Sequence, residues 1–119
     1  MSSMTTYYSD IDWKRENEFI NIIKGVLIHP GAIIGCSKVT ELYTFLSGMD
    51  YMFMLLKGYR LHFDQLFQCY VENSYNVRPG VRHWDTIITE GKTDEQAFDS
   101  FCNLFQGFIE SNGHFNCPE

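Results

Sequence analysis

The feature that most constrains the fold is a long segment in which large apolar residues recur every three or four positions. Between Lys38 and Lys57 the apolar residues at this spacing are Val39, Leu42, Phe45, Leu46, Met49, Met52, Phe53 and Leu56. Such residues share one face of an α-helix, because the helix has 3.6 residues per turn, whereas a half-buried strand requires alternation of apolar and polar residues. That alternation is scarce throughout the chain. The sequence therefore predicts an all-α protein.

Three further segments have the same periodicity and predict the other main helices. They run from Asp10 to Ile28, from Leu61 to Asn73, and from Thr93 to a point just before Gly113. Thr93 and Gln96 have the spacing of a capping box, which favours a helix start at this position. Residues 84–89 predict one short helix, with a strand as the alternative because the last four of these residues are β-branched.

Glycine and serine residues predict how these helices end and meet. Gly31 and Gly35 predict a tight loop after the first helix, and Ser37 predicts the N-cap of the next one. Gly58 predicts a left-handed residue after that helix, since glycine adopts positive φ without a steric penalty. Gly48 lies inside the same helix, where glycine costs about 1 kcal/mol relative to alanine. We therefore predict that another helix approaches Gly48 closely.

A chain of 119 residues predicts one domain with one hydrophobic core. We assign a single helical domain to residues 10–119 and predict a frayed N-terminus over residues 1–9, which are small and polar apart from two tyrosines. No basic stretch followed by an apolar one opens the chain, and no apolar run approaches the ~18 residues of a membrane span. We therefore expect a compact single-domain bundle of four main helices plus one short helix, located in the cytoplasm.

Motifs for catalysis and for metal or cofactor binding are missing from the sequence. It has no GxSxG nucleophile elbow, no phosphate-binding GxxxxGK[ST] loop, no GxGxxG turn and no HExxH metal helix. The four cysteines form no CxxC pair, so zinc binding is not expected, and the four histidines are interpreted as surface or loop residues. The sequence therefore predicts a protein that is not an enzyme and carries no cofactor. An enzyme whose site is assembled from residues distant in sequence is kept as an alternative.

The negative charge of the chain is concentrated in its last third. Residues 1–82 contain eight acidic and eight basic residues, whereas residues 83–119 contain seven acidic residues and a single lysine, Lys92. A concentrated negative surface speeds association with a basic partner and argues against nucleic-acid binding. The alternative is purely structural, since acidic residues also favour a first helical turn and a solvated helix face. The acidic partner-binding surface that we predict comprises Asp85, Glu90, Asp94, Glu95 and Asp99.

Two aromatic residues near this surface in the sequence are candidate interface anchors. Tyr75 and Trp84 flank the turn that Arg78-Pro79-Gly80 predicts. Buried aromatic anchors contribute much of the binding energy in protein complexes and slow their dissociation. Core packing is the alternative role, and for Trp84 it is the favoured one.

Two groups of residues form a pattern that other proteins share. The N-terminal group is Phe19-Ile-Asn-Ile-Ile-Lys24, Pro30-Gly-Ala-Ile-Ile-Gly35, Ser37, Leu42, Phe45-Leu46 and Gly48. The C-terminal group is Trp84-x-x-Ile-Ile followed by Asp94-Glu-x-Ala-Phe-x-x-Phe-x-x-Leu104. Together they resemble small bacterial immunity proteins of polymorphic toxin systems, including contact-dependent growth inhibition. The resemblance spans roughly residues 17–111.

The resemblance implies that the protein binds the C-terminal domain of a cognate toxin and neutralises it. A nuclease with a basic cleft is the expected toxin, and occlusion of that cleft is steric and electrostatic, without turnover. No nucleic acid, membrane or metal is an expected partner, and the free protein is expected to be a monomer or a weak homodimer. The alternative function is a small helical adaptor or regulatory subunit that acts through an oligomer interface.

Overall fold

The computed structural model describes residues 11–35 and 37–113, which form six helices and, within these ranges, no strand. The helices are α1 (Trp13–Ile28), α2 (Pro30–Ile34), α3 (Val39–Lys57), α4 (Phe63–Tyr75), α5 (Trp84–Thr89) and α6 (Asp94–Ser111). The all-α prediction is confirmed, as are its four main helices and the helical state of residues 84–89. The short α2 is an addition to the prediction. The predicted frayed segment, residues 1–9, lies outside the described residues.

The helix ends confirm some of the predicted signals and correct others. Gly35 and Gly58 are left-handed, with φ of 82° and 65°, and Gly58 follows α3 as predicted. The loop prediction for Gly31 is wrong, because this residue lies inside α2. The cap prediction for Ser37 is also wrong. Lys38 is the N-cap of α3, without a side-chain hydrogen bond.

The capping box that opens α6 is confirmed. The Thr93 hydroxyl oxygen accepts a hydrogen bond from the Gln96 backbone N–H at 3.1 Å, and the Gln96 side-chain oxygen accepts one from the Thr93 N–H at 3.1 Å. These two bonds satisfy backbone donors that the first helical turn leaves without partners. None of the helices in the described ranges is long and apolar enough to cross a membrane.

The shortest of the predicted helices, α5, lies at the centre of the core. It contacts α3, α4 and α6. The Trp84 ring packs against Phe67 of α4 and Phe101 of α6, with ring centroids 5.0 and 5.5 Å apart. Tyr43 of α3 meets the same ring edge-on at 5.1 Å. Because edge-on and offset ring pairs add to the free energy of burial, this cluster fixes how the three long helices meet.

Gly107, and not Gly48, is the helical glycine with a close neighbour. A Cβ atom at Gly48 meets no other atom within 4 Å, so the predicted close approach is wrong for the described chain. At Gly107 in α6, a Cβ atom lies 2.4 Å from the hydroxyl oxygen of Tyr70 in α4. The Tyr70 ring is itself packed against Phe67 and Phe108. Only a residue without a side chain leaves room for this tyrosine.

We expect alanine substitutions at these two glycines to have different effects on stability. Gly48→Ala should raise the free energy of unfolding by about 1 kcal/mol, because alanine is favoured in an exposed helix interior by that amount. Gly107→Ala should leave the free energy of unfolding unchanged or lower it, since the new methyl group collides with the Tyr70 hydroxyl. Urea unfolding measures both, and adding Tyr70→Phe to Gly107→Ala should restore the gain. Equal stabilisation by both alanine substitutions would show that the collision with the Tyr70 hydroxyl costs no stability.

Candidate binding site

The predicted acidic surface lies on α5, on the turn after it, and on the first half of α6. Glu90, Asp94, Glu95 and Asp99 are exposed, and Asp85 in α5 is partly buried. Glu95 and Asp99 are four residues apart in α6, so their carboxylates share one helix face. Four of the five predicted surface carboxylates are therefore exposed to solvent.

Two of the five acids have basic neighbours from earlier in the chain. Arg82 forms an ion pair with Glu90, and the Lys38 ammonium lies 3.9 Å from Asp94. The surface is thus less uniformly negative than the sequence predicts, because packing of α3 on α6 brings Lys38 to the start of α6. Among the described residues, Glu95 and Asp99 have no ion-pair partner within 4.0 Å.

Lys92, the single lysine in residues 83–119, stabilises the fold. Lys92 is partly buried, and its ammonium donates hydrogen bonds to the Ile88 carbonyl at 2.8 Å and the Tyr75 hydroxyl at 3.0 Å. A cation at this position stabilises the C-terminal end of α5 through the helix dipole. The Lys92 ammonium is therefore directed to the Ile88 carbonyl and the Tyr75 hydroxyl, and not to the acidic side chains of α6. Tyr75 is partly buried beside it, and its role as an interface anchor stays a prediction.

Trp84 is a core residue, so its candidate role as an interface anchor is wrong and the favoured interpretation, core packing, is correct. Its side chain is 1% exposed, and its indole N–H donates a hydrogen bond to the Asp64 carboxylate at 2.9 Å. The physical reason is the central position of α5, which surrounds the large apolar ring with three helices. The alternative role, core packing, is confirmed.

A small cavity of about 100 Å³ lies where α3, α4 and α5 meet. Its walls combine aromatic rings with two carboxylates, contributed by Phe19, Tyr43, Phe63, Trp84, Asp50 and Asp64. None of the described residues that line it is basic. Asp50 comes from α3 and Asp64 from α4, so only the packed fold brings these two acids to one place.

The environment of Asp50 disfavours its charged form. Partial burial raises the pKa of this carboxyl first, and the negative charges of Asp64 and Glu16 raise it further. Arg60 offsets part of the effect. The net direction is upward, because burial and the two neighbouring carboxylates together outweigh Arg60 and the Leu61 backbone hydrogen bond.

Tyr43 connects the cavity to the predicted acidic surface. Burial raises the pKa of its hydroxyl, and so do the charges of Asp64 and Asp85, while a hydrogen bond with Ser47 acts in the opposite direction. Asp85 is therefore near enough to Tyr43 to act on it. Of the five predicted surface acids, this is the one that the structure relates to the cavity.

A fully buried carboxylate, Glu16, lies next to the cavity wall. Its Oε2 atom accepts hydrogen bonds from the Tyr59 hydroxyl at 2.6 Å and the His62 backbone N–H at 2.7 Å. Its Oε1 atom has no hydrogen-bond partner among the described residues. Burial and the bond to this carboxylate raise the pKa of Tyr59. These hydrogen bonds join Glu16 of α1 to Tyr59 and His62 in the segment that precedes α4.

Sequence reasoning missed the two acids that line the cavity, Asp50 and Asp64, and the buried acid behind its wall, Glu16. Glu16 lies one helical turn before Phe19 and Ile20, in phase with their apolar stripe. That phase is a signal for burial that the sequence does contain. Asp50 and Asp64 offered no comparable signal, because their meeting depends on how two helices pack.

The environment of one cysteine, Cys102, disfavours a role as a nucleophile. Burial and the nearby charge of Asp99 raise the pKa of the Cys102 thiol, which disfavours the reactive thiolate. Cys69 is free and exposed. In residues 11–35 and 37–113, no three histidine, cysteine or carboxylate side chains converge closely enough to hold a metal ion.

The hydrogen bonds of Glu72 predict that the stability of the protein depends on pH. Its Oε2 atom accepts hydrogen bonds from the Gln68 amide and the Gly80 N–H, both at 2.8 Å, and these bonds lower its pKa. A carboxyl whose folded pKa is lowered stabilises the fold above its unfolded pKa, and this contribution is lost as pH falls through the folded value. Glu72→Gln should therefore be less stable than the natural protein near neutral pH and nearly equal to it near pH 3, in urea unfolding. A stability difference that stays constant across this range would contradict the prediction.

The comparisons with known proteins supply no family for this chain. No family model matches it, and no curated protein or solved structure resembles it significantly. The acidic surface and the cavity are therefore the features of this chain that bear on its function.

Proposed function

We propose that this protein is an immunity protein, which binds the C-terminal domain of a cognate toxin and blocks it without catalysing a reaction. The observation that carries this proposal is the pair of exposed acids on α6. Glu95 and Asp99 have no ion-pair partner within 4.0 Å among the described residues, while the nearby Lys92 is held by Tyr75 and Ile88. A face of this kind complements a basic surface.

Electrostatics supplies the mechanism. A toxin that acts on nucleic acid carries a basic cleft, and an acidic face steers the two proteins together and then occupies the place of the phosphate backbone. The same charge repels nucleic acid from the inhibitor itself. The proposed site of action is the cytoplasm, where such a toxin meets its substrate.

The test uses the protein encoded directly upstream, which the proposal identifies as the toxin. Its C-terminal domain should co-purify with this chain as a one-to-one complex, lose its nuclease activity on binding, and bind more weakly as ionic strength rises. Failure of the two proteins to associate at low salt would overturn the proposal.

An exposed apolar face on α3 favours a second candidate function, a helical adaptor or regulatory subunit that self-associates. Tyr51, Met52, Leu55 and Leu56 are 44–75% exposed and recur at helical spacing. No charged residue lies between them in the sequence, so the face itself is uncharged. Sedimentation at increasing concentration distinguishes the two functions: a stable dimer supports the second, and a monomer at high concentration counts against it.

A further inference from the structure

The cavity between α3, α4 and α5 holds two carboxylates that face one small space. Asp64 Oδ1 accepts a hydrogen bond from the indole N–H of Trp84. Partial burial raises the pKa of Asp50, and the negative charges of Asp64 and Glu16 raise it further. Three basic side chains lie around these walls. Arg60 acts on Asp50, the His83 ring packs against Tyr43 with ring centroids 5.7 Å apart, and His62 Nδ1 lies 3.4 Å from Glu16 Oε2. None of the three lines the cavity. We propose that this cavity binds the cationic end of one lysine or arginine side chain of the protein partner.

The aromatic walls suit such a ligand. Tyr43 is partly exposed, whereas Phe19, Phe63 and Trp84 are buried, so Tyr43 presents the accessible ring. A cation over an aromatic face is attracted by the negative potential of the ring, and more strongly where water is excluded. The Tyr43 ring is already held edge-on against Trp84, so its position is set before a ligand arrives.

The size of the cavity limits the ligand to one side chain. At about 100 Å³ it is well below the roughly 300–1,000 Å³ of pockets that enclose drug-sized molecules. A narrow aliphatic stem with a charged head fits this space, and an acidic or bulky group does not.

The buried Glu16 carboxylate adds negative potential from behind the wall. Its Oε1 atom lacks a hydrogen-bond partner among the described residues, and its charge acts on Asp50. Phe19, which lines the cavity, is one helical turn from Glu16. An arriving cation therefore meets the carboxylates of Asp50 and Asp64, and the charge of Glu16 acts on Asp50 from behind the wall. Arg60 and the Leu61 backbone N–H offset part of the negative charge at Asp50.

The test needs no partner and uses the full chain. n-Butylammonium and n-butylguanidinium represent the ends of lysine and arginine, and n-butanol is a neutral probe of similar size. We expect saturable NMR shifts at Ser47, Asp50 and Asp64 with one or both cations, with dissociation constants on the order of millimolar, and no saturation with the alcohol. The stronger cation identifies which side chain the cavity prefers.

Matched variants complete the test. Asp50→Asn should weaken binding of the cation about fivefold, whereas Glu41→Gln removes an exposed acid of α3 outside the cavity and should leave the affinity unchanged. Equal binding of the alcohol, absence of saturation, or unchanged affinity in Asp50→Asn would overturn the proposal. The identity of the partner rests on the proposed function, but the probe experiment does not. If the cavity binds neither cation, the cavity proposal fails while the proposed toxin complex is still open to its own test. If no toxin complex forms, the proposed function fails while the result of the cation titration is unaffected.

Discussion

Trp84→Ala is expected to lower the free energy of unfolding by about 3–5 kcal/mol, the range for removing a large buried aromatic side chain. The Trp84 ring is 1% exposed and packs against rings of three different helices, so its loss leaves a void at the point where these helices meet. Since the total stability of a domain is typically about 5–15 kcal/mol, this single change removes a large fraction of it. Urea unfolding followed by circular dichroism measures the effect.

Two further variants separate packing from hydrogen bonding. Trp84→Phe keeps a ring in the core but removes the indole N–H that binds Asp64, so we expect a smaller loss of about 1–2 kcal/mol. Trp13→Ala removes the other tryptophan, which is only partly buried, and should cost less than Trp84→Ala. If both alanine variants lose the same stability, α5 is not the centre of the core.

Reversing two charges on α6 is expected to slow association with the toxin domain about tenfold or more at low salt. Glu95→Lys combined with Asp99→Lys changes the face by four charges, and steering by complementary charge raises association rates by about 10–1,000-fold. The dissociation rate should change less, because exposed charges at the edge of an interface act mainly during encounter. Stopped-flow binding at several salt concentrations measures both rates.

The matched control reverses two other exposed acids. Glu41→Lys combined with Glu110→Lys makes the same change in net charge, with Glu41 on α3 and Glu110 near the opposite end of α6. A slower association in the first variant alone supports the acidic face as the binding surface. Equal slowing in both variants would mean that only net charge matters, and no slowing in either would contradict the proposed surface.

Local sequence patterns predicted most of the helices. They failed for features that depend on contacts between helices. The apolar periodicity located α1, α3, α4 and α6, because amphipathic helices bury one face in any helical fold. The short α2 was missed because five residues cannot show that periodicity. Gly48 and Gly107 both lie inside periodic helices, and only the packed structure shows that Tyr70 lies against Gly107.

The sequence by itself determined that the chain is helical, roughly where its four long helices lie, and that its last third is rich in acids. These properties depend on neighbours a few residues apart. The tertiary structure decided that Trp84 is buried, that Lys38 lies near Asp94, and that Asp50 and Asp64 share a cavity. Each of these results joins residues of different helices, whose side chains meet only after the helices have packed. The distribution of charge over the surface is therefore a property of the packed bundle, whereas its total is a property of the sequence.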